Sequence, residues 1–149
     1  MNWTIDASVF VAASRPEELQ YGVSRRFLTE LKKQAANVFC PVLVLPEAAG
    51  AIIRRTGYTE ITDELIALIE EFPGMNLTPL TLPLARRAAQ IATAQQLRGA
   101  DAIYVAVAEE FNASLVAWDA EMLARGAAVI STTTPQAWLD NQTDNLEVG

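Results

Sequence analysis

Short apolar runs alternate with longer segments of helical periodicity along this chain of 149 residues. The runs are too short for buried helices, and several of them end at Pro or Asp, which is typical of strands. We predict strands at residues 3–5, 37–40, 75–80, 114–118 and 127–130. Pro79 predicts an edge position for the third of them. Nearly continuous apolar strands separated by helices indicate a mainly parallel sheet within an α/β domain.

Helix signals occupy the segments between these strands. An apolar stripe of Leu19, Val23, Phe27, Leu28 and Leu31 predicts a helix from about residue 17 to 36. Pro46 and Gly57 predict the start and the end of another helix, and Ser8 is a candidate cap for a brief helix ending near residue 13. Further helices are predicted at residues 59–72, 83–97, 101–111, 120–125 and from residue 134 onward.

Length and composition predict one globular domain. With 51% hydrophobic and 19% charged residues, we expect residues 1–140 to form a single domain and residues 141–149 a polar, flexible tail. No apolar stretch approaches the ~20 residues of a membrane span, and the N-terminus lacks the features of a signal peptide. A lone cysteine, Cys40, favours a reducing compartment. We therefore expect a cytoplasmic protein without membrane contact.

The chain contains no histidine, which excludes many kinds of catalysis. Ser-His-Asp and Cys-His mechanisms, histidine-based RNA cleavage and His-ligated zinc are impossible, and one Cys cannot build a zinc–thiolate site. The remaining oxygen donors suit Mg²⁺ or Mn²⁺. A net charge of −7 argues against a broad nucleic-acid surface. A local basic rim could still come from arginine pairs at 25–26, 54–55 and 86–87, with Lys32, Lys33 and Arg98.

Four acidic residues lie where a predicted strand or loop passes into a helix: Asp6, Glu47, Asp101 and Asp119. Each could simply cap a helix or complement its dipole. Their apolar surroundings also suggest a nearby positive group, because a buried carboxylate is costly unless such a group compensates it. Asp6 and Asp119 both follow predicted strands, and parallel strands bring their carboxyl ends to one edge. We therefore expect a shared metal site.

The segments around these acids resemble the ordered motifs of PIN-domain ribonucleases. The matching residues are 5–8, 46–47, 100–108 and 115–123. The short single-domain form is similar to VapC-type toxins of toxin–antitoxin pairs. The resemblance implies a three-layer α/β/α sandwich and Mg²⁺- or Mn²⁺-dependent endonucleolytic cleavage of RNA. Its four acidic positions fall on Asp6, Glu47, Asp101 and Asp119, with Asp6 and Asp101 as the principal metal ligands in our hypothesis.

The resemblance also implies partners. A cognate antitoxin would place a basic side chain among the acids, and a homodimer would use an apolar helix face such as that of Ile61, Leu65 and Leu68. Ser8 and Arg54 are possible supporting residues, Ser8 for the ligand shell and Arg54 for phosphate or an acidic partner.

Two other functions remain open from the sequence. The family commonly has Ser or Thr where this chain has Ala117, which favours a degenerate PIN module that binds proteins and cuts nothing. A phospho-receiver domain also clusters acids at strand ends, but it needs a lysine near the site, on a strand late in the chain. The only lysines here, Lys32 and Lys33, lie early in the chain.

Overall fold

A computed structural model describes the backbone of residues 1–148 and the side chains of residues 1–145. Its centre is a five-stranded sheet with the order β3-β2-β1-β4-β5. All four strand pairings are parallel, which confirms the predicted α/β class. The strands are β1 (Asn2–Ile5), β2 (Asn37–Pro41), β3 (Met75–Thr78), β4 (Ser114–Val116) and β5 (Thr132–Thr133).

Helices cover both faces of the sheet, as the three-layer prediction requires. They are α1 (Ala7–Ser14), α2 (Tyr21–Lys33), α3 (Val44–Thr56), α4 (Thr59–Glu70), α5 (Leu82–Gln95), α6 (Gly99–Glu110), α7 (Ala120–Gly126) and α8 (Pro135–Val148). Helices α1 to α4 pack together with α8, while α5, α6 and α7 form a second group. The chain runs from β1 through β2 to β3 at one edge of the sheet, and then crosses back to β4 on the other side of β1. Because crossover connections are right-handed, the helices before and after this change of direction lie on opposite faces of the sheet.

The core is most continuous around α6 and α8. Helix α6 is almost fully buried after its first turn and contacts β1, β2 and β4. On the other face, the Trp138 ring packs edge-on against Phe27 at 5.1 Å and Trp3 at 6.1 Å between ring centroids. Aromatic pairs in this arrangement add stability beyond the area they bury. Trp3 and Trp138 are therefore packing residues.

Helix α2 is shorter than predicted. It begins at Tyr21 because Glu17 and Glu18 belong to a preceding turn, in which Arg15 pairs with Glu18 at 3.0 Å. Leu19 is 94% exposed, so its assignment to the apolar stripe was wrong. Phe27, Leu28 and Leu31 form the buried face.

The predicted strand at residues 127–130 was also wrong. These residues form a turn after α7, in which the amides of Val129 and Ile130 donate to the carbonyl of Gly126. The sheet is extended instead by Thr132 and Thr133, whose β-branched side chains suit a strand. The apolar residues therefore lie before Ser131, whereas the strand lies after it.

The C-terminal helix is longer than predicted, since α8 continues to Val148. Gly149 lies outside the described residues, and the flexibility of residues 141–149 remains a prediction. The helices described here are all too short or too polar to cross a lipid bilayer.

Candidate active site

The sheet order reverses between β1 and β4, and this is where the candidate site lies. From β1 the chain adds β2 and β3 on one side, whereas β4 and β5 lie on the other. A crevice forms at such a point, outside the carboxyl ends of the strands. The amide of Asp6 donates to the carbonyl of Val116 at 2.9 Å and so joins the two strand ends.

Asp6 follows β1 directly and is the N-cap of α1. Its Oδ2 accepts from the Ser8 amide at 3.1 Å, and the residue is only 9% exposed. Burial raises the pKa of Asp6, the Asp119 charge adds to this rise, and hydrogen bonds from Ser8 and Ala7 oppose it. Asp6 therefore caps α1 through its Oδ2, but this hydrogen bond does not compensate the charge of the buried carboxylate.

Ser8 was wrongly predicted to be the cap. It is the second residue of α1, and its Oγ accepts from the Trp118 amide at 3.3 Å. The indole of Trp118 donates to Ser24 Oγ at 2.9 Å. The end of β4 is thus held against both α1 and α2.

Glu47 lies in the first turn of α3, and its carboxylate is held by Tyr104. The Tyr104 hydroxyl donates to Glu47 Oε1 at 2.7 Å. Burial is the main cause that raises the pKa of Glu47, and the charges of Asp6 and Asp101 raise it further, whereas the Tyr104 bond lowers it. Because Tyr104 is fully buried in α6, this contact fixes Glu47 from the protein interior.

Asp101 lies in the first turn of α6 and is half-buried. Burial first, and then the charges of Asp6 and Asp119, raise the pKa of Asp101 to about 6, although Arg98 opposes the shift. Asp101 therefore shares an electrostatic environment with Asp6, although 95 residues of sequence separate them.

Asp119 differs from the other three acids because it is exposed. It is the N-cap of α7, with Oδ1 accepting from the Met122 amide at 3.0 Å. Its charge nevertheless raises the pKa values of Asp6 and Asp101. The nearby Glu121 pairs with Arg125 at 2.8 Å.

A cavity of about 560 Å³ connects these elements. Asp6, Glu47 and Asp101 line it together with Ser8 and Arg54, while Asp119 lies outside the lining. Helix α1, the 18–20 turn, α3 and the start of α6 form its walls. It is the place where the structure brings together three of the four predicted acids and both predicted supporting residues.

The donor set fits a hard divalent cation. Among the described residues, no three acidic or thiol side chains converge closely enough to hold one ion as they stand. Mg²⁺ does not require such a cage, because it keeps several waters and uses one or two carboxylates. Three neighbouring carboxylates with raised pKa values also call for positive charge. Cys40 offers no competing soft ligand, because burial raises the pKa of its thiol to about 12.

Tyr104 is the residue of this site that the sequence analysis missed. It lies in an apolar segment of α6, Ala102 to Ala108, where its hydroxyl is the one polar side-chain group. The available signal was its position three residues after Asp101, which puts both side chains on one side of the helix. A tyrosine within a buried segment also needs a partner for its hydroxyl.

The strand order argues against the phospho-receiver alternative. Receiver domains have the order 2-1-3-4-5, whereas this sheet has 3-2-1-4-5. Lys32 and Lys33 also lie away from the acids, since Lys32 contacts the Phe72 ring and Lys33 pairs with Glu30.

Together, the sheet and the cavity define an α/β/α domain with a carboxylate site at its switch point. The chain belongs to the PIN domain family, whose model matches residues 4–128. The resemblance found in the sequence is therefore confirmed. A comparison with curated proteins found no significant match.

Several solved structures have the same fold. VapC20 of Mycobacterium tuberculosis, a toxin that cleaves the sarcin-ricin loop, has a TM-score of 0.72 and 19% identity over 85% of this chain and 95% of its own. FitAcB of Neisseria gonorrhoeae has a TM-score of 0.67 and 17% identity, covering 91% and 99%. VapBC2 of Rickettsia felis, bound to promoter DNA, has a TM-score of 0.68 and 12% identity, covering 90% and 98%. At these identities the likeness establishes the fold.

Proposed function

We propose that this protein is a Mg²⁺- or Mn²⁺-dependent endoribonuclease and the toxin of a toxin–antitoxin pair. The observation that carries the proposal is the convergence of Asp6, Glu47 and Asp101 on one cavity at the switch point of a PIN domain. A structural-binding role alone would not require three acids whose burial raises their pKa values. RNA hydrolysis would take place in the cytoplasm.

Each acid has an assigned role in this proposal. Asp6 and Asp101 would hold a divalent cation, while Glu47 and Asp119 would hold a second ion or orient water. A bound cation would neutralise the carboxylates and lower the pKa of its water. Tyr104 keeps Glu47 in place, and Ser8 supports Asp6 through hydrogen bonds. Water breaks the P–O3′ bond, which leaves a 5′-phosphate and a 3′-hydroxyl.

The related structures support a toxin with a protein partner. VapC20 is a toxin that cleaves the sarcin-ricin loop, and FitAB and VapBC2 are bound to DNA fragments. For this chain we propose a cognate antitoxin that places a basic side chain in the acidic cavity. We also propose a homodimer through α4, where Ile61 is partly exposed and Leu68 is 41% exposed. Leu65 belongs to the protein's own core.

The test is RNA cleavage by Asp101→Asn in the presence of Mg²⁺ or Mn²⁺. Loss of a residue that merely supports a metal ligand already costs 10–100-fold, so loss of the proposed ligand should reduce cleavage by at least about 100-fold. The matched control is Asp140→Asn, which removes an exposed carboxylate from α8. Full cleavage by the Asp101 variant would refute the assignment.

A degenerate binding module is the second candidate. It is favoured by Ala117, which is fully buried and supplies no hydroxyl at the end of β4. The lack of a three-carboxylate cluster among the described residues points the same way. Mn²⁺ titration of the purified chain separates the two functions, because a degenerate module should bind Mn²⁺ weakly and should not cut RNA.

A further inference from the structure

Arginines on two different walls of the acidic cavity differ from their neighbours in having no carboxylate partner. We propose that Arg54 and Arg98 bind backbone phosphates of a single-stranded RNA next to the phosphate that is cleaved. This proposal rests on the ribonuclease function proposed above and specifies how its substrate is held.

The three arginines that line the cavity are not equivalent. Arg55 pairs with Glu18 at 2.6 Å, and Glu18 also accepts from Arg15 at 3.0 Å. Arg54 and Arg98 form no ion pair with any residue whose side chain the structure describes, and both are exposed. The Arg54 Nε donates to the Gly50 carbonyl at 3.1 Å, which orients the side chain without neutralising it. Of the three arginines in the cavity lining, Arg54 and Arg98 are therefore the two whose guanidinium groups are available to a phosphate.

Their positions relative to the acids suit phosphates that flank the reacting one. Arg54 follows Glu47 by seven residues on α3, which corresponds to about 10 Å along the helix axis. Its guanidinium is anchored at the Gly50 carbonyl, which lies between the two residues, and we assign to it a phosphate next to the one at Glu47. Arg98 precedes Asp101 by three residues and is close enough to lower the pKa of that carboxyl. Both side chains line the same cavity as the acids.

RNA fits this arrangement better than an acidic peptide does. A peptide carboxylate at Arg98 would lie in the same cavity as the Asp101 and Asp6 carboxylates, and like charges repel. An RNA strand can place a divalent cation between its phosphate and these acids, so that the same strand can engage both the acids and the arginines. Arginine also binds phosphate with paired donors, which a single point charge does not provide.

The experiment measures binding of a fluorescein-labelled oligouridine by anisotropy at a series of NaCl concentrations. The full chain carries Asp101→Asn to prevent cleavage, and the buffer contains a low, constant concentration of Mg²⁺, because the proposal places a divalent cation between the strand and the remaining acids. Each phosphate contact to a single strand contributes about 0.7 to the slope of log K against log[salt]. Adding Arg54→Gln or Arg98→Gln should therefore lower the slope by about 0.7 and weaken binding roughly 8-fold at 50 mM NaCl.

Arg55→Gln is the matched control, because it removes a charge from the same cavity that Glu18 already neutralises. Its slope should equal that of the parent. Unchanged slopes for both Arg54→Gln and Arg98→Gln would overturn the proposal, and so would a parent protein that does not bind the oligouridine. If both substitutions weaken binding of polyglutamate but not of RNA, the arginines serve an acidic protein partner instead. Failure of the ribonuclease proposal appears separately, as cleavage that survives Asp101→Asn.

Discussion

The two ends of the sheet both open into cavities of similar size, but their chemistry differs. At the carboxyl end, a cavity of about 560 Å³ is lined by four acids and three arginines, and Glu18 is the one acid among them that is paired with arginine. At the amino end, a cavity of about 400 Å³ is lined by amides, hydroxyls and the rings of Trp3 and Trp138. A neighbouring one of about 600 Å³ contains Glu109, which Arg87 holds at 2.6 Å. Volume therefore does not distinguish the candidate site.

Uncompensated charge is what distinguishes the carboxyl end. Pairing with Arg87 lowers the pKa of Glu109, whereas burial raises the pKa values of Asp6, Glu47 and Asp101. The acid at the amino end is thus compensated by its partner. The carboxyl end retains an electrostatic cost that a bound cation would remove.

The largest effect is expected at the amino end, for Trp138→Ala. Deleting this 2%-exposed ring should cost about 3–5 kcal/mol in the free energy of unfolding, measured with urea. Trp138→Phe should recover most of this, because it keeps an aromatic ring and removes a buried N–H that has no partner among the described residues. Mn²⁺ affinity of the folded protein should not change. If folded Trp138→Phe lost affinity for Mn²⁺, the two ends of the sheet would not have separate roles.

A smaller effect is expected at the carboxyl end, for Tyr104→Phe. The substitution removes only the hydroxyl that holds Glu47, so Mn²⁺ affinity should fall roughly 10-fold by calorimetry. In a Glu47→Gln background it should have little further effect, since the two residues act through one hydrogen bond. Tyr58→Phe, on an exposed tyrosine, is the control. Equal losses in both backgrounds would show that Tyr104 does not act through Glu47.

The smallest effect concerns pH and the stability of the metal-free protein. Asp101 has a pKa of about 6 when folded and an ordinary value of 3.8. Between these values the folded state binds more protons, so stability falls as pH rises through this window. Burial shifts Asp6 and Glu47 in the same direction.

Asp101→Asn should therefore stabilise the metal-free chain at pH 7.5 but not at pH 3.5. After allowance for the partial exposure of Asp101, the gain is about 1 kcal/mol, or about 2–4 °C in Tm. Thermal unfolding in EDTA at the two pH values measures it, with Asp140→Asn as the control. If the Asp101 variant were no more stable than the parent at pH 7.5, the Asp101 charge would not destabilise the metal-free protein.

The fold class and the positions of the acids were predictable because they depend on local pattern and on a general topological rule. Apolar runs marked four of the five strands, and parallel strands place Asp6 and Asp119 at the same edge. The N-cap roles of Asp6 and Asp119 also follow from their place before a helix.

Features that depend on tertiary contacts could not be predicted. The periodicity that included Leu19 in a helix contained no information about the turn in which Arg15 and Glu18 pair. Apolar residues at 127–130 suggested a strand, but their amides bond within a turn. The bond between Tyr104 and Glu47 joins residues 57 apart, and it forms because the fold brings the start of α3 and the first turns of α6 to the same edge of the sheet.

The pairing of β1 with β4 has a consequence for synthesis on the ribosome. A nascent chain released only as far as α6 already contains Asp6, Glu47 and Asp101. It lacks Val116, whose carbonyl anchors the Asp6 amide, and Trp118, which completes the cavity wall. The cavity is therefore incomplete until the segment that follows α6 has emerged from the ribosome, so a molecule that recognises the finished cavity cannot bind the chain before that point.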